Sequence, residues 1–253
     1  METPLPFFAL FGVYFLIVFK LGPAFMKNRK ALDISTIIQF YNIFQVVACT
    51  FFVLKFHDLG FSLRQTWKCD KNLTAGREEE TFYVFWWFLM LRTLELVETV
   101  FFILRKKEKQ ASALHIYHHI SSIVLMWVFL KYSAGEYFHL ICHCKPKHLF
   151  FSGMMEIYGI TLNCCVHVVM YLFYFCSSIK SLSGVVKVVK PLLTAIQIVQ
   201  LSVMLVHCFV AVSSSCKATK LFYLQIFNIS FLIFLFAKFF VQSYMKKNKV
   251  HSN

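Results

Sequence analysis

Long apolar runs alternate with short polar stretches along the whole chain. A membrane-spanning helix needs about 20 mostly apolar residues. Seven segments meet that requirement, namely 5–26, 33–56, 80–104, 112–132, 149–176, 191–212 and 221–245. Because lipid offers no hydrogen-bond partner to backbone groups, such segments must be helical. The pattern predicts an all-α membrane protein with seven transmembrane helices in a single polytopic domain, residues 1–253.

The composition agrees with this interpretation. Hydrophobic residues make up 58% of the 253 residues and charged residues only 15%, whereas a soluble domain carries about 25% charged residues. The net charge is +14, but the basic residues stand in short runs between apolar segments, which is the pattern of cytosolic membrane loops. We therefore expect no nucleic-acid partner. Five cysteines within apolar segments are interpreted as small buried hydrophobic residues: Cys49, Cys164, Cys165, Cys176 and Cys208.

The basic residues also predict an orientation. With seven spans, the loops after spans one, three and five share a side with the C-terminus, and this side holds thirteen lysines and arginines against eight on the other. The positive-inside rule then places the C-terminus in the cytosol and the N-terminus in the lumen. Asn72 opens a glycosylation sequon in a predicted lumenal loop. Cys69 and Cys216 also fall in lumenal loops, as a disulfide candidate or as two free thiols.

Polar and ionisable residues inside membrane helices are costly, so each group of them is a candidate site. The third segment carries one such group, with spacings that bring its members to one side of a helix. Its members are Arg92, Glu95, Glu98 and Thr99. They fit either a functional site or a structural ion pair between spans.

The fourth segment opens with three histidines that share one helical face, His115, His118 and His119. A lone histidine on an apolar face is usually structural, whereas three together indicate chemistry. Imidazole is a common metal ligand, and it also serves as a nucleophile or as a general acid and base. The spacing leaves both chemistries open.

Two further polar stripes lie in the fifth and sixth segments. They consist of Asn163, His167, Met170, Tyr171 and Tyr174, and of Thr194, Gln197 and Gln200. Methionine and aromatic stripes commonly pack a core, and amides commonly join membrane helices. The buried asparagine and histidine are harder to explain by packing alone.

All four groups are predicted to occupy the same depth. The first lies at the cytosolic end of span three, the second in the first turns of span four, the third in the cytosolic half of span five and the fourth in the first turns of span six. Independent structural pairs have no reason to gather at one depth. A single polar site with an apolar remainder toward the lumen suits an amphipathic substrate such as an acyl-CoA.

These residues resemble the signature motifs of the ELO family of fatty acid elongases. Residues 99–119 end in an HxxHH box, residues 167–174 are similar to HxxMYxYY, and residues 194–200 are similar to TxxQxxQ. Gly22-Pro23 and Tyr41-Asn42 with Gln45 also resemble family sequence, and the similarity runs from about residue 4 to residue 247.

The chain departs from the family pattern in three places. The KxxExxDT box has Arg92 for lysine and Glu98 for aspartate, and Phe173 stands where the family usually has tyrosine. Residues 135–152 replace a short Pro-Gly-Gly connection and are interpreted as a lumenal insertion. This segment offers a zinc-like set of non-standard spacing, or it reflects an unusual splice form or gene model. The set is His139, Cys142, His143, Cys144 and His148.

The resemblance implies a very-long-chain 3-oxoacyl-CoA synthase, an acyltransferase of the endoplasmic reticulum membrane. It would condense acyl-CoA with malonyl-CoA to 3-oxoacyl-CoA, CoA and CO2, the first step of microsomal elongation. Spans two to seven would ring a closed acyl tunnel, with span one outside. The implied partners are both CoA esters and membrane lipid, with a homo-oligomer and other elongation-cycle enzymes as further candidates. No cofactor and no metal is expected.

The resemblance also implies roles for the site residues. His118 would be the nucleophile, with His115, His119, His167 and Asn163 beside it in the catalytic set. Arg92 and the cytosolic lysines would meet CoA phosphates. The expected substrate-binding residues are Arg92, Glu95, Glu98, Thr99, Tyr171, Tyr174, Thr194, Gln197 and Gln200.

Two other function classes fit parts of the pattern. A di-iron fatty acid desaturase or hydroxylase also carries HxxHH boxes, but it needs about eight histidine ligands, and here one box and His167 are all that face the site. A non-enzymatic seven-span receptor or transporter would match the topology and leave the histidine box unexplained.

Overall fold

The computed structural model describes residues 5–61, 67, 77–107, 110–140, 150–179, 183–213 and 220–245. Within these ranges the regular elements are helical. In chain order they are α1 (Leu5–Leu16), a π-helical segment (Ile17–Leu21), α2 (Gly22–Met26), α3 (Ser35–Asp58), α4 (Glu78–Leu94), α5 (Val97–Leu104), α6 (Ala113–Leu140), α7 (Phe150–Ser177), α8 (Ser183–Ser213), α9 (Lys220–Phe240) and a second π-helical segment (Val241–Met245).

Six helical stretches of the described chain are long and apolar enough to cross a membrane: Leu5–Met26, Ser35–Asp58, Ala113–Lys131, Ile157–Ser177, Val188–Ser213 and Phe222–Met245. The prediction of an all-α membrane protein is therefore confirmed, and the chain is a multi-pass membrane protein. The remaining predicted span, 80–104, is divided between α4 and α5. At the helical rise per residue, α4 and α5 together are about 40 Å long, and α4 alone is about 25 Å long. A seventh crossing therefore requires both helices, and the count of seven spans stays a prediction.

The division between α4 and α5 is a tight turn that carries site residues. Backbone N–H groups here bond to carbonyls three residues back, from Leu96 to Thr93 at 3.2 Å and from Glu98 to Glu95 at 3.1 Å. Side chains three residues apart eclipse one another in such a 3₁₀ turn. Glu95 and Glu98 therefore project in the same direction, whereas an α-helix would separate them by about 60°.

The helices close into a ring. α3 packs against α7, α7 against α8, α8 against α9, α9 against α6, α6 against α4, and α4 returns to α3. The first helical segment lies outside this ring, where α2 and the preceding π-helical turn pack against α5. This is the arrangement that the family resemblance implies for spans two to seven and for span one, while the acyl tunnel itself stays a prediction.

Aromatic side chains fill the contact between α3, α4 and α6. The ring centroids of Phe52 and Phe88 lie 5.3 Å apart, those of Phe56 and Phe85 5.6 Å, and those of Phe85 and Phe129 5.1 Å. Tilted and edge-to-face pairs of this kind are favourable beyond the area that they bury. The outer surface is apolar as well, with Phe40 74% exposed, as expected for a surface that meets lipid.

Two predicted bounds differ from the structure by eight residues each. α6 continues to Leu140, beyond the predicted end at 132, and α8 begins at Ser183, before the predicted start at 191, so that Pro191 lies inside the helix. In both cases the helix extends beyond the apolar segment from which it was predicted. α7 runs without interruption through Gly153 and Gly159. Of the predicted insertion, residues 141–149 lie outside the described part of the chain.

Candidate active site

The first polar group surrounds a buried arginine. Arg92 and Glu95 are 2% and 0% exposed, and Arg92 Nη1 lies 3.0 Å from Glu95 Oε2 and 3.0 Å from His167 Nδ1 on α7. A guanidinium only donates hydrogen bonds, so His167 Nδ1 is the acceptor. A neutral His167 therefore carries its proton on Nε2. Arg92 thus fixes both the position and the tautomer of His167.

His119 lies between the two carboxylates of the tight turn. Its Nδ1 is 3.7 Å from Glu95 Oε2, and its Nε2 is 3.6 Å from Glu98 Oε2. The neighbouring histidine of the box packs edge-to-face against it, with 4.3 Å between the ring centroids of His115 and His119. The 3₁₀ turn makes this arrangement possible, because it aims both carboxylates at α6.

Glu98 is held by hydroxyl groups from two other helices. Tyr41 on α3 donates to Glu98 Oε1 at 2.9 Å, and Tyr171 on α7 donates to the same oxygen at 2.5 Å. Gln45 Nε2 donates in turn to the Tyr41 hydroxyl at 2.7 Å. Tyr41 and Gln45 were noted only as family-like residues. Their spacing of four within the apolar second span, together with Asn42, was the available signal for a site contribution.

A second unexpected contributor comes from outside the ring. The Tyr14 hydroxyl on α1 lies 2.8 Å from Thr99 Oγ1, which lies 3.1 Å from His115 Nε2. Tyr14 and Thr99 are both buried. The first helix is therefore connected by hydrogen bonds to the histidine box. A single tyrosine in an apolar run gave no sequence signal for this.

His118 faces α7 and α9 across the interior of the ring. Its ring centroid lies 6.2 Å from that of His167, 5.4 Å from that of His119 and 6.3 Å from that of Phe236. His118 is half-buried. Among the four histidines of the site, it lies nearest to the apolar side chains of α9.

The polar residues of α8 lie beside this cluster. Gln197 Nε2 is 3.4 Å from Met170 Sδ on α7, and Gln200 Nε2 is 3.2 Å from Met204 Sδ. Thr194 Oγ1 is 3.4 Å from the hydroxyl of Tyr244. The contacts of Gln197 and Thr194 join helical segments, as the packing interpretation expects, whereas that of Gln200 lies within α8. The α8 group borders the histidine cluster through α7.

Two predicted residues of α7 lie at the margin. Asn163 is half-buried one turn before His167, and Tyr174 is 40% exposed with its ring centroid 6.4 Å from that of Tyr171. Neither side chain belongs to the hydrogen-bonded cluster of the described residues. Their assignment to catalysis and substrate binding stays a prediction.

Basic side chains gather at the same end of the ring. Lys107 follows α5, and partial burial lowers its pKa, with further lowering by the positive charges of Arg105 and of Lys190 on α8. Such mutual repulsion marks a place where an anion would be stabilised. Arg92, by contrast, lies inside the protein with its charge already matched by Glu95.

One set of donors has the composition of a metal site. Glu98, His115 and His119 each offer one ligand atom, and these atoms lie within 4.8 Å of one another. A carboxylate and two imidazoles are ligands that zinc accepts, although these atoms would have to approach one another to share an ion. The expectation that the protein binds no metal therefore stays a prediction.

Several sequence predictions lie outside the described residues. These are the disulfide candidate Cys69 and Cys216, the glycosylation candidate Asn72 and the zinc-like set of His139, Cys142, His143, Cys144 and His148, of which only the backbone at His139 is described. Among the cysteines interpreted as buried, Cys49, Cys164 and Cys208 are buried, but Cys176 is only half-buried and Cys165 is exposed on the outer face of α7.

Comparison with known proteins decides the family. The model of the ELO family, described as the GNS1/SUR4 family, matches residues 1–145 and 137–252. The chain belongs to the ELO family. Very long chain fatty acid elongase 2 of Rattus norvegicus is 31% identical over 98% of this chain and 82% of its own length. Very long chain fatty acid elongase 5 of Mus musculus is 30% identical over 98% of this chain and 77% of its own length. Very long chain fatty acid elongase 4 of Macaca mulatta is 29% identical over 98% of this chain and 74% of its own length.

The structure gives physical meaning to the departures from the ELO pattern. Arg92 donates to Glu95 and His167 through Nη1. The planar guanidinium fixes the directions of these two hydrogen bonds, whereas the ammonium of lysine rotates freely. Glu98 reaches both Tyr41 and Tyr171. Phe173 packs beside Met170 and Tyr171 in an apolar cluster, so the hydroxyl that the family usually places there is replaced by packing.

Proposed function

We propose that this protein is a fatty acid elongase of the ELO family, a 3-oxoacyl-CoA synthase that extends an acyl-CoA by two carbons from malonyl-CoA. The observation that carries the proposal is the proximity of His118 and His167, from different helices, with 6.2 Å between their ring centroids inside a ring of mainly apolar helices. The named relatives are very long chain fatty acid elongases, which supports the same class of reaction here.

The first half-reaction is acyl transfer to His118. The free imidazole nitrogen attacks the thioester carbonyl, an N–C bond forms, and the C–S bond to CoA breaks. The CoA thiolate takes the proton released from the imidazole, which leaves an acyl-imidazole and free CoA. Splitting the condensation in this way replaces one difficult step by two easier ones.

The second half-reaction consumes malonyl-CoA. Loss of CO2 leaves an enolate of acetyl-CoA, whose carbon attacks the acyl-imidazole carbonyl and breaks the N–C bond to give 3-oxoacyl-CoA. The His118 imidazolate that leaves takes up one proton from solvent, which restores the neutral imidazole. Negative charge develops on the enolate oxygen and then on the acyl oxygen, so preorganised donors accelerate both steps. We assign one donor role to His167 Nε2–H, because Arg92 occupies its Nδ1.

The remaining residues of the site position the histidines or contact the substrate. Glu95 and Arg92 orient His167, and Glu98, anchored by Tyr41 and Tyr171, orients His119. Asn163, Gln197 and Gln200 are proposed to contact the substrate at the margin of the site. The cationic group of Arg105, Lys107 and Lys190 is proposed to receive the CoA phosphates, with malonyl-CoA and acyl-CoA as substrates and no cofactor.

The excess of basic residues at this end supports an opening toward the cytosol, where CoA esters are available. We accordingly propose an endoplasmic reticulum location with a lumenal N-terminus and a cytosolic C-terminus. Membrane lipid would surround the exposed apolar faces. Assembly as a homo-oligomer or with other elongation-cycle enzymes is part of the same proposal.

The test is transfer of label from malonyl-CoA into acyl-CoAs of several lengths by membranes that contain the protein. Two-carbon products are expected, and His118→Ala should reduce them by about 100-fold or more. His57→Ala, an exposed histidine at the end of α3, is the matched control and should retain activity. Absence of product with every acyl-CoA, from folded protein, would overturn the proposal.

A desaturase or hydroxylase would behave differently in the same material. It requires bound iron and oxygen, whereas condensation proceeds under nitrogen. Elongation that is unchanged without oxygen supports the condensing reaction, and oxygen-dependent loss of hydrogen from the acyl chain, with stoichiometric iron, would favour the rival. Survival of activity in His118→Ala would remove the catalytic role of the box.

A further inference from the structure

Two buried cysteines lie where α3 and α7 pack against each other. Cys49 and Cys164 are each 0% exposed, and the thiol of Cys49 interacts with that of Cys164 and with His167. The sequence suggested only small hydrophobic residues at these positions. Instead, two thiols from different helices form a close pair in the interior, and the condensation described above uses neither of them.

The thiol pair is connected to the candidate active site. Arg92 Nη2 lies 3.9 Å from Cys164 Sγ, and Cys164 precedes His167 by three residues on the same face of α7. Arg92 thus places positive charge beside the thiols, which favours the thiolate form. Reactive cysteines are found in such electropositive surroundings.

We propose that Cys49 and Cys164 form an oxidation-sensitive dithiol, which a membrane-soluble hydroperoxide converts into a disulfide between α3 and α7. In the first step the Cys49 sulfur attacks the hydroperoxide, ROOH becomes ROH, and Cys49 becomes a sulfenic acid. In the second step Cys164 sulfur attacks the sulfenic sulfur and one water leaves. The two thiols lose two electrons in total, and the hydroperoxide gains them.

The Cys49–Cys164 disulfide would disturb the candidate active site because a disulfide allows only a narrow range of geometry. A disulfide brings two sulfurs to about 2.05 Å and fixes the torsion between them, whereas the sulfurs of Cys49 and Cys164 are not bonded to each other here. Closing that gap moves α3 and α7 relative to each other, and His167 is one turn from the bridge. This consequence for activity rests on the proposed elongase function, whereas formation of the bond does not.

The choice of oxidant follows from the location. Both thiols are enclosed by apolar helices that face lipid, so a hydroperoxide that partitions into membranes can approach them more readily than a charged disulfide such as oxidised glutathione. Cumene hydroperoxide serves as the apolar probe. Cys165, adjacent to Cys164 in sequence but exposed on the outer face of α7, provides a matched control.

The experiment treats membranes that contain the full chain with cumene hydroperoxide, alkylates the remaining thiols, and identifies linked peptides by mass spectrometry. A Cys49–Cys164 bridge should form in the native protein and in Cys165→Ser, and should be absent from Cys49→Ser and Cys164→Ser. Oxidised glutathione should yield less of it. Intact, separately alkylated Cys49 and Cys164 after treatment would overturn the dithiol.

Elongation is measured on the same samples, each relative to its own untreated activity. We expect a loss of about tenfold or more, because a displacement of about 1 Å can cost up to about 100-fold, with recovery on addition of dithiothreitol. Both single serine variants should be insensitive and Cys165→Ser sensitive. A bridge that forms without loss of activity would overturn the regulatory role. Absence of elongation from every untreated sample would instead count against the proposed function.

Discussion

At the scale of single residues, Arg92 shows how position changes an interpretation. A cationic residue near a site for CoA esters suggests a contact with phosphate. The guanidinium is instead buried, and it bonds to Glu95 and His167. We therefore expect Arg92 to hold Glu95 and His167 in position, and we assign the phosphate contacts to basic residues such as Lys107 at the end of α5.

This assignment predicts the behaviour of Arg92→Lys. Lysine keeps the charge but cannot donate to Glu95 and His167 with the same fixed geometry, so the turnover number should fall by about tenfold or more while the KM for acyl-CoA changes by less than about threefold. Lys107→Gln should show the reverse, a raised KM with turnover retained. Initial rates over a range of acyl-CoA and malonyl-CoA concentrations distinguish the two.

The opposite result has a clear meaning. If Arg92→Lys raised the KM for CoA esters and left the turnover number unchanged, Arg92 would contact the substrate, as first expected. A variant that failed to fold would be recognised by its elution from a sizing column, and Arg92→Gln with Glu95→Gln, which removes both charges together, would then supply the comparison.

At the scale of elements, the sequence predicted most helices because lipid imposes a strong length requirement. The bounds of α3, of α7, and of α9 together with the π-helical segment after it fall within about two residues of the predicted segments. Hydropathy could not predict the turn between α4 and α5, since that turn is stabilised by contacts of Glu95 and Glu98 with other helices.

The candidate site could be predicted only in part. Convergence of His115, His118 and His119 follows from their spacing on one helix. The contributions of Tyr14 and Tyr41 to the site depend on which helices are neighbours, which the sequence does not show.

The π-helical segment before α2 has an identifiable cause and a close packing partner. Pro23 has no N–H to continue the regular pattern, and the Gly22 N–H bonds to the Ile17 carbonyl five residues back. A Cβ added at Gly22 would lie 2.8 Å from Ile17 O and 3.0 Å from Ile103 Cγ2 of α5. Only glycine therefore fits where the outer segment meets the ring.

Gly22→Ala should consequently destabilise the protein by about 1–3 kcal/mol, the usual cost of overpacking. Gly12→Ala is the matched control, because a Cβ there would have no neighbour within 4 Å, and alanine favours a helix over glycine. Thermal unfolding in detergent should show a lower midpoint for Gly22→Ala and an equal or higher one for Gly12→Ala. Equal midpoints for the two variants would contradict the close approach of α2 and α5.

At the scale of the whole molecule, the open question is whether α4 and α5 cross the membrane together. The six long helices alone would place both termini on the same side, and a seventh crossing would place them on opposite sides. The ring itself favours the crossing, because α4 packs between α3 and α6. A helix enclosed by two spanning neighbours shares their environment, and α4 with α5 has the length to pass through it.

We therefore expect an odd number of crossings, with the N-terminus lumenal and the C-terminus cytosolic. Epitope tags at the two ends can be probed in cells whose plasma membrane alone is permeabilised. The C-terminal tag should be stained and the N-terminal tag protected until the reticulum membrane is opened. Replacement of Asn72 by glutamine should also abolish any glycan in the loop between α3 and α4. Two tags accessible from the cytosol would mean that α4 and α5 re-enter without crossing. The histidine cluster would then lie at a different membrane depth from the one that the neighbouring basic residues imply.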